Sequence, residues 1–206
     1  MTREGQVAAL IARILSEEGL IQVEASARHV HLCEADLEKL FGKGAKLTPK
    51  RPLSQKGEFL CEERVSVVSP RKTLENVAIL GPIRKQSQVE LSLTDGVALG
   101  LKLPVRDSGD VADTPGILLR SAAGEARLAC GCIAAGRHLH ASPEEARMLG
   151  LSDGQLASVE ILGARRTVYR DVLVRVRDSF RLRVHLDMDE ANAAGMDGFT
   201  LGRLIR

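Results

Sequence analysis

The chain has 206 residues, is 44% hydrophobic and sets 29 basic residues against 27 acidic ones, for a net charge of +2. That length suits one large domain or two small ones with a real core, and the charge balance excludes a polyanion-binding tail while leaving room for a local basic pocket. Aromatic residues are only 2% of the chain, too few for a base-stacking nucleic-acid surface, so the core must be built from Val, Leu, Ile and Ala.

In chain order, residues 3–17 predict an amphipathic helix, with Val7, Leu10, Ile11, Ile14 and Leu15 at helical spacing and Gly19 as its stop. Its apolar stripe either packs on its own domain or docks on a partner. Leu20 to Ala27 reads as a strand, residues 34–41 as a short helix ended by Gly42, and Lys46 to Gly57 as a Pro- and Lys-rich loop. Phe59 to Val68, Leu74 to Leu80 and Gln88 to Leu93 read as strands, the last by its strict alternation. Gly96 to Gly116 is turn-rich, and Ile117 to Leu119 and Ala126 to Ile133 are strand-like. Ser142-Pro143-Glu144-Glu145 is a helix start, with Ser as N-cap, Pro in the first turn and acids behind it, and Gly150 closes that helix. Gln155 to Leu162, Arg166 to Val176 and Leu182 to Leu186 are β-rich, and residues 189–195 form a last short helix. Many short strands between Gly and Pro turns point to barrels or sandwiches.

No apolar run approaches the ~20 residues that span a bilayer, and the N-terminus lacks the basic-then-apolar layout of a secretory signal. The four cysteines, Cys33, Cys61, Cys130 and Cys132, are not spaced as a disulfide framework. The expectation is a cytoplasmic protein with free thiols.

One pattern occurs twice: Arg28-His29-Val30-His31 and Arg137-His138-Leu139-His140. These hold four of the five histidines, and His185 is the fifth. Each copy is followed by a short predicted helix, which suggests two related barrel-like halves. In a strand, residues i and i+2 face the same side about 6.6–7 Å apart, so each pair can reach one cation. Zinc takes neutral imidazole nitrogens and keeps an open position in catalytic sites. A single His-x-His is as readily two hydrogen-bonded surface histidines. Two copies in equivalent contexts, plus His185, favour a metal site. Each metal needs a third ligand; His185 is the candidate for one and an acid such as Glu90 for the other. Arg84 on its own reads as a surface arginine. Cys130 and Cys132 read as small buried hydrophobes. Ser108 has no nucleophile-elbow context, and the chain has neither a Walker loop nor GxGxxG.

Together with Ser26-Ala27, Leu32 and the stretches Gly81-Pro82-Ile83-Arg84-Lys85-Gln86-Ser87-Gln88-Val89-Glu90 and His185-Leu186-Asp187-Met188-Asp189-Glu190-Ala191-Asn192-Ala193, these motifs resemble the PduL-type phosphate propanoyltransferases. Those are zinc-dependent phosphotransacylases of bacterial microcompartments, and the likeness runs over about residues 20–205. It implies a mainly β fold of two β-barrel domains with short capping helices and an N-terminal amphipathic helix. The implied domains are 1–17 as a helix that could direct encapsulation, 18–27 with 136–206 as the first barrel, and 28–135 as the second. It implies two zinc ions between the domains, one on His29, His31 and Glu90, the other on His138, His140 and His185. Arg84 is expected to hold phosphate, and Ser26, Ala27, Arg28, Arg71 and Asn192 to lie at the coenzyme A site. The implied partners are acyl-CoA and inorganic phosphate, with microcompartment proteins reached through the N-terminal helix and a homodimer as assembly; no nucleic acid or membrane is expected. Two other readings remain open: a zinc-dependent thioester hydrolase, and a metal-stabilised shell-binding module without activity. Cys33 departs from the family's usual Ser or Thr N-cap.

Overall fold

The computed structural model describes Leu10, Ile14 and residues 18–205. The predicted helix over 3–17 lies outside the described residues, apart from Leu10 and Ile14, which are helical. The elements begin with β1 (Leu20–Ser26), β2 (His29–His31), α1 (Glu34–Phe41), β3 (Pro49–Pro52), β4 (Phe59–Val68) and β5 (Thr73–Gly81). Next come β6 (Gln88–Glu90), α2 (Leu93–Leu99), β7 (Val105–Arg106), β8 (Ile117–Arg120), β9 (Glu125–Leu128) and β10 (Cys132–Ala135). The last are β11 (His138–Ala141), α3 (Pro143–Leu149), β12 (Leu156–Ile161), β13 (Thr167–Val176), β14 (Arg183–Asp187), α4 (Met188–Ala193) and β15 (Thr200–Ile205).

The chain divides into two compact units. One unit comprises residues up to Ser26, Arg137–Leu186 and Glu190 onward; the other comprises Ala27–Gly136 with Asp187–Asp189. The first unit is a closed six-stranded barrel in the order β1-β14-β11-β13-β12-β15. Its interior is aliphatic, with Ile21, Val23, Leu139, Val159, Val174 and Val184 buried. The second unit is a curled half-barrel sheet in the order β7-β10-β6-β2-β5-β4-β8-β9, with β3 paired to β4. Val30, Leu32, Leu37, Ile79, Val89 and Leu119 fill its core. Each such side chain contributes about 1.5–3 kcal/mol by leaving water, which is how a fold poor in aromatics is held together. The architecture is mainly β with short helices, as the strand-and-turn pattern predicts.

The two units repeat one local plan. In the second, β2 lies between β5, which runs parallel to it, and β6, which runs antiparallel. In the first, β11 lies between parallel β13 and antiparallel β14. A helix follows each His strand (α1 and α3) and each partner strand (α2 and α4). Period-2 alternation explains the polarity of the His strands: Val30 and Leu139 are fully buried on the core side, so the flanking histidines face the other way.

Three local expectations are corrected. The strand expected over Gln88 to Leu93 ends at Glu90, and Leu93–Leu99 is a helix. The Ser92 side chain caps it by accepting from the Asp95 backbone N–H at 3.1 Å, a signal that Gly96 obscures in the sequence. The expected strand Ala126 to Ile133 is broken between β9 and β10, where Gly131 takes a positive φ of 134°. The expected loop Lys46 to Gly57 contains β3, a Pro-bounded edge strand.

The helix caps differ between the repeats. Ser142 and Glu145 form a complete capping box at α3, whereas Cys33 makes no side-chain cap bond at α1. There the backbone N–H of Cys33 donates instead to Ser87 Oγ at 3.0 Å. Ser142→Ala is expected to cost about 1 kcal/mol, read as a Tm lower by roughly 2–4 °C for a chain of this size. Cys33→Ala is expected to change Tm less, by thermal unfolding followed with circular dichroism.

Candidate metal centres

Among the described residues, His29, His31 and Glu90 form one group of three ligand atoms within 4.8 Å of one another, and His138, His140 and His185 form a second. Strand register makes both. His29 lies directly opposite Glu90 across the β2–β6 pair, and His138 lies directly opposite His185 across the β11–β14 pair. The second histidine of each pair is two residues on, on the same face of its strand.

In the second unit, ring orientation is set by the backbone. His29 Nδ1 is 2.7 Å from the Ala27 carbonyl oxygen, and His31 Nδ1 is 3.2 Å from that of Leu80. Donation of Nδ1–H to these acceptors turns each Nε2 toward Glu90; with Nε2 deprotonated, its lone pair has the orientation a metal requires. Two tetrahedral zinc ligands at 2.0–2.1 Å from the ion lie about 3.4 Å apart; His29 Nε2 and Glu90 Oε2 are 3.4 Å apart. Glu90 Oε1 accepts from Ser108 Oγ–H at 2.9 Å and from the Gln88 amide. Ser108 Oγ in turn accepts from Arg84 Nη1 at 3.0 Å and from Gln88 Nε2 at 2.9 Å, and Gln88 Oε1 accepts from the Gly109 N–H at 2.7 Å. The hydroxyl therefore uses its donor and both lone pairs. It ties the carboxylate to the arginine expected to hold phosphate. In the sequence Ser108 reads only as a serine without a nucleophile's context, and nothing local to Asp107-Ser108-Gly109 announces this role.

Electrostatics follow from these contacts. Burial alone would raise the Glu90 carboxyl, but the charge of and hydrogen bond to His29, then His31 and Ser108, hold it well below the usual range. Burial disfavours a charged His29, yet Glu90 and the Ala27 carbonyl raise it above its ordinary value. His31 is pushed down to about 3 by burial, then by His29 and Arg84.

In the first unit, the three imidazoles stand 4.6–5.0 Å apart between ring centroids. His140 is 8% exposed, and both of its ring nitrogens are buried without a hydrogen-bond partner among the described residues. Leaving such atoms unpaired is costly; a cation bound by the three imidazoles removes the cost for the ligating nitrogen, and neutral histidines are the donors zinc accepts. Burial, then His138, Arg175 and Arg177, push His140 down to about 3, which keeps it a neutral donor. Glu24 lies behind His185, with Oε2 3.9 Å from Nδ1 and Oε1 accepting from Arg183 Nε at 3.0 Å. The residues present fit zinc at both clusters.

The arginine that opens each pattern is a clamp. Arg28 pairs with Asp95 at 2.9 Å and Arg137 with Glu190 at 2.9 Å. Each acid stands five residues beyond the third ligand of its own cluster, Glu90 or His185. The other residues expected at a coenzyme A site are placed as follows. Ser26 ends β1 half-buried, Ala27 is exposed with its carbonyl on His29, and Asn192 is exposed on α4. Arg71 is exposed in the Ser69–Lys72 turn, its stem lying where a Cβ on Gly100 would stand. All four cysteines are free; Cys61 and Cys132 are buried and Cys33 and Cys130 half-buried. Among the described residues no helix is long and apolar enough to cross a membrane.

A mainly β chain presenting two three-ligand clusters, each beside an arginine, has the makings of a metal-dependent group-transfer enzyme. The family profile of phosphate propanoyltransferases matches residues 22–197. The chain is 48% identical over 194 residues to a phosphate propanoyltransferase of Listeria monocytogenes, covering 94% of this chain and 91% of that one. It is 49% identical over 179 residues to one of Leptotrichia buccalis, covering 87% and 85%. It is 46% identical over 185 residues to one of Thermotoga maritima, covering 89% and 88%. The chain belongs to the phosphate propanoyltransferase family, and it is a phosphotransacylase.

The depressed histidines set the pH dependence of the metal-free chain. In the unfolded chain His31 and His140 protonate near about 6.5, whereas in the fold both resist until about 3. The unfolded state thus binds more protons over that window, and stability must fall as pH falls through it. At about pH 5.5 the loss is on the order of 1 kcal/mol per histidine, opposed in part by His29, whose raised value favours the fold below about 6.5. Thermal unfolding of chelator-treated protein is expected to show Tm declining steadily from about pH 7 to about pH 4; a flat profile contradicts this account.

Proposed function

We propose that this chain transfers a short acyl group between coenzyme A and inorganic phosphate, with one zinc ion on each cluster. Propanoyl is the expected group, with acetyl as the near competitor, since one methylene is worth only about 1–3 kcal/mol of discrimination. The carrying observation is the pair of preformed three-ligand clusters, one of them joined through Ser108 to Arg84.

Arg84 receives phosphate, because a planar guanidinium matches an oxyanion with two parallel donors. Ser108 holds that arginine and Glu90 in one network, so the anion site and the His29–His31–Glu90 cluster keep a constant geometry. Zinc, when bound, supplies Lewis acidity at a carbonyl oxygen and affinity for a thiolate. A phosphate oxygen forms the new bond to the acyl carbon, the carbon–sulfur bond breaks, and the proton lost by phosphate is balanced by the coenzyme A thiol. No protein nucleophile is required, and orienting two anionic reactants is itself a large part of the rate. Ser26, Ala27, Arg28, Arg71 and Asn192 are proposed to contact coenzyme A. Residues 1–17 are proposed to address the chain to a bacterial microcompartment, and the assembly is proposed to be a homodimer.

Purified protein is expected to carry about two zinc ions per chain and to release thiol from propanoyl-CoA only when phosphate is present. His138→Ala is expected to lose one of the two ions and nearly all turnover. Thiol release without phosphate selects a thioester hydrolase instead; zinc without turnover selects a metal-stabilised binding module. Removing residues 1–17 is expected to leave activity intact and abolish entry into shells, measured by co-purification with shell particles.

A further inference from the structure

The two units place one arginine at the same backbone position. In the second unit, the Arg84 N–H donates to the carbonyl of Leu32 at 2.9 Å. In the first, the Arg177 N–H donates to the carbonyl of Ala141 at 3.1 Å. Leu32 and Ala141 are each the residue immediately after the second histidine of a pair. Arg84 follows β5, the parallel neighbour of β2; Arg177 follows β13, the parallel neighbour of β11. Arg177 is therefore the counterpart of Arg84 in the internal repeat. Sequence comparison of the two halves does not reveal this, because the residues around them, Pro82-Ile83-Arg84 and Arg175-Val176-Arg177, are unlike.

The surroundings of Arg177 suit an anion. Its guanidinium lies over the Phe180 ring, 5.5 Å from the centroid, and the His140 ring stacks on the same phenylalanine at 3.9 Å. Arg175 stands opposite His140 in the β11–β13 register. Among the described residues Arg28, Arg137 and Arg183 are matched by carboxylates, whereas no carboxylate pairs with Arg175 or Arg177. Two guanidiniums near a histidine cluster, Arg177 exposed and neither of them ion-paired with a carboxylate among the described residues, make a site for an oxyanion.

We propose that Arg177, supported by Arg175, is a second phosphoryl-binding element, placed at the His138–His140–His185 cluster as Arg84 is at the other. The inference rests on the acyl-transfer reading for its biological ligand, which is either inorganic phosphate or a phosphate of coenzyme A. The geometry of the arginines does not depend on that reading.

The test uses zinc-loaded full-length chain as wild type, Arg177→Gln, Arg175→Gln/Arg177→Gln and Arg177→Lys. Zinc content, KM for phosphate, KM for propanoyl-CoA and for its 3′-dephospho form, and calorimetric phosphate binding are measured for each. The double variant is expected to retain both ions and to raise one KM by about tenfold or more, the scale of a lost charge-assisted contact; Arg177→Lys is expected to lose less. A rise for phosphate, with weaker calorimetric binding, identifies the inorganic ion. A rise for propanoyl-CoA that is absent with the dephospho form identifies the 3′-phosphate, and one that persists with it identifies the pyrophosphate. If every KM and the phosphate affinity stay within about twofold of wild type, or if the Gln variants lose zinc and Arg177→Lys does not restore the KM, the proposal is overturned. A wild type without phosphate-dependent turnover defeats the acyl-transfer reading alone, since calorimetry on the same variants still decides the anion site.

Discussion

Each candidate metal centre depends on the register of its own antiparallel strand pair, β2–β6 in one unit and β11–β14 in the other. His29 is opposite Glu90 and His138 is opposite His185. Because side chains alternate faces along a strand, a slip by one residue would turn both histidines of a pair into the core and send Val30 or Leu139 outward. The hydrophobic cores of the two units therefore hold the registers. Each buried aliphatic on a His strand contributes to the fold and, by the same contact, points its neighbours at the cation position.

Around that register the surroundings limit the freedom of each ligand. The Ala27 and Leu80 carbonyls turn the rings of His29 and His31, and Ser108 with Gln88 holds one oxygen of Glu90. In the first unit Phe180 stacks on His140, and the Glu24 carboxylate lies behind His185. The two centres are alike in topology and unlike in charge. One has a carboxylate held ionised by its histidines; the other has three imidazoles with arginines close by. A metal in the first environment is partly neutralised by its own ligands, while a metal in the second keeps its full charge, which favours an anionic partner there.

Much of the candidate site was legible because His-x-His spacing and strand periodicity are local facts. The helix 34–41 and the strand Phe59–Val68 were read with the observed boundaries, since Gly42 and a run of β-branched residues mark them. Helix α2 was not, because Gly96 in its middle lowers helix propensity and resembles a turn, while its stability comes from the Ser92 cap and buried Leu99. Ser108 was legible only as a serine in a turn. Its meaning arises from Gln88, Glu90 and Arg84, which lie 18–24 positions away along the chain.

The residues alone determined a mainly β chain with an aliphatic core and two same-face histidine pairs, because composition and period-2 patterning act over a few neighbouring positions. Which acid or histidine completes each set, which arginine in one half answers to Arg84 in the other, and which serine joins arginine to carboxylate were decided by strand pairing and loop closure. Those relations connect residues far apart in the chain, and the free energy that selects them comes from burying the two cores as wholes.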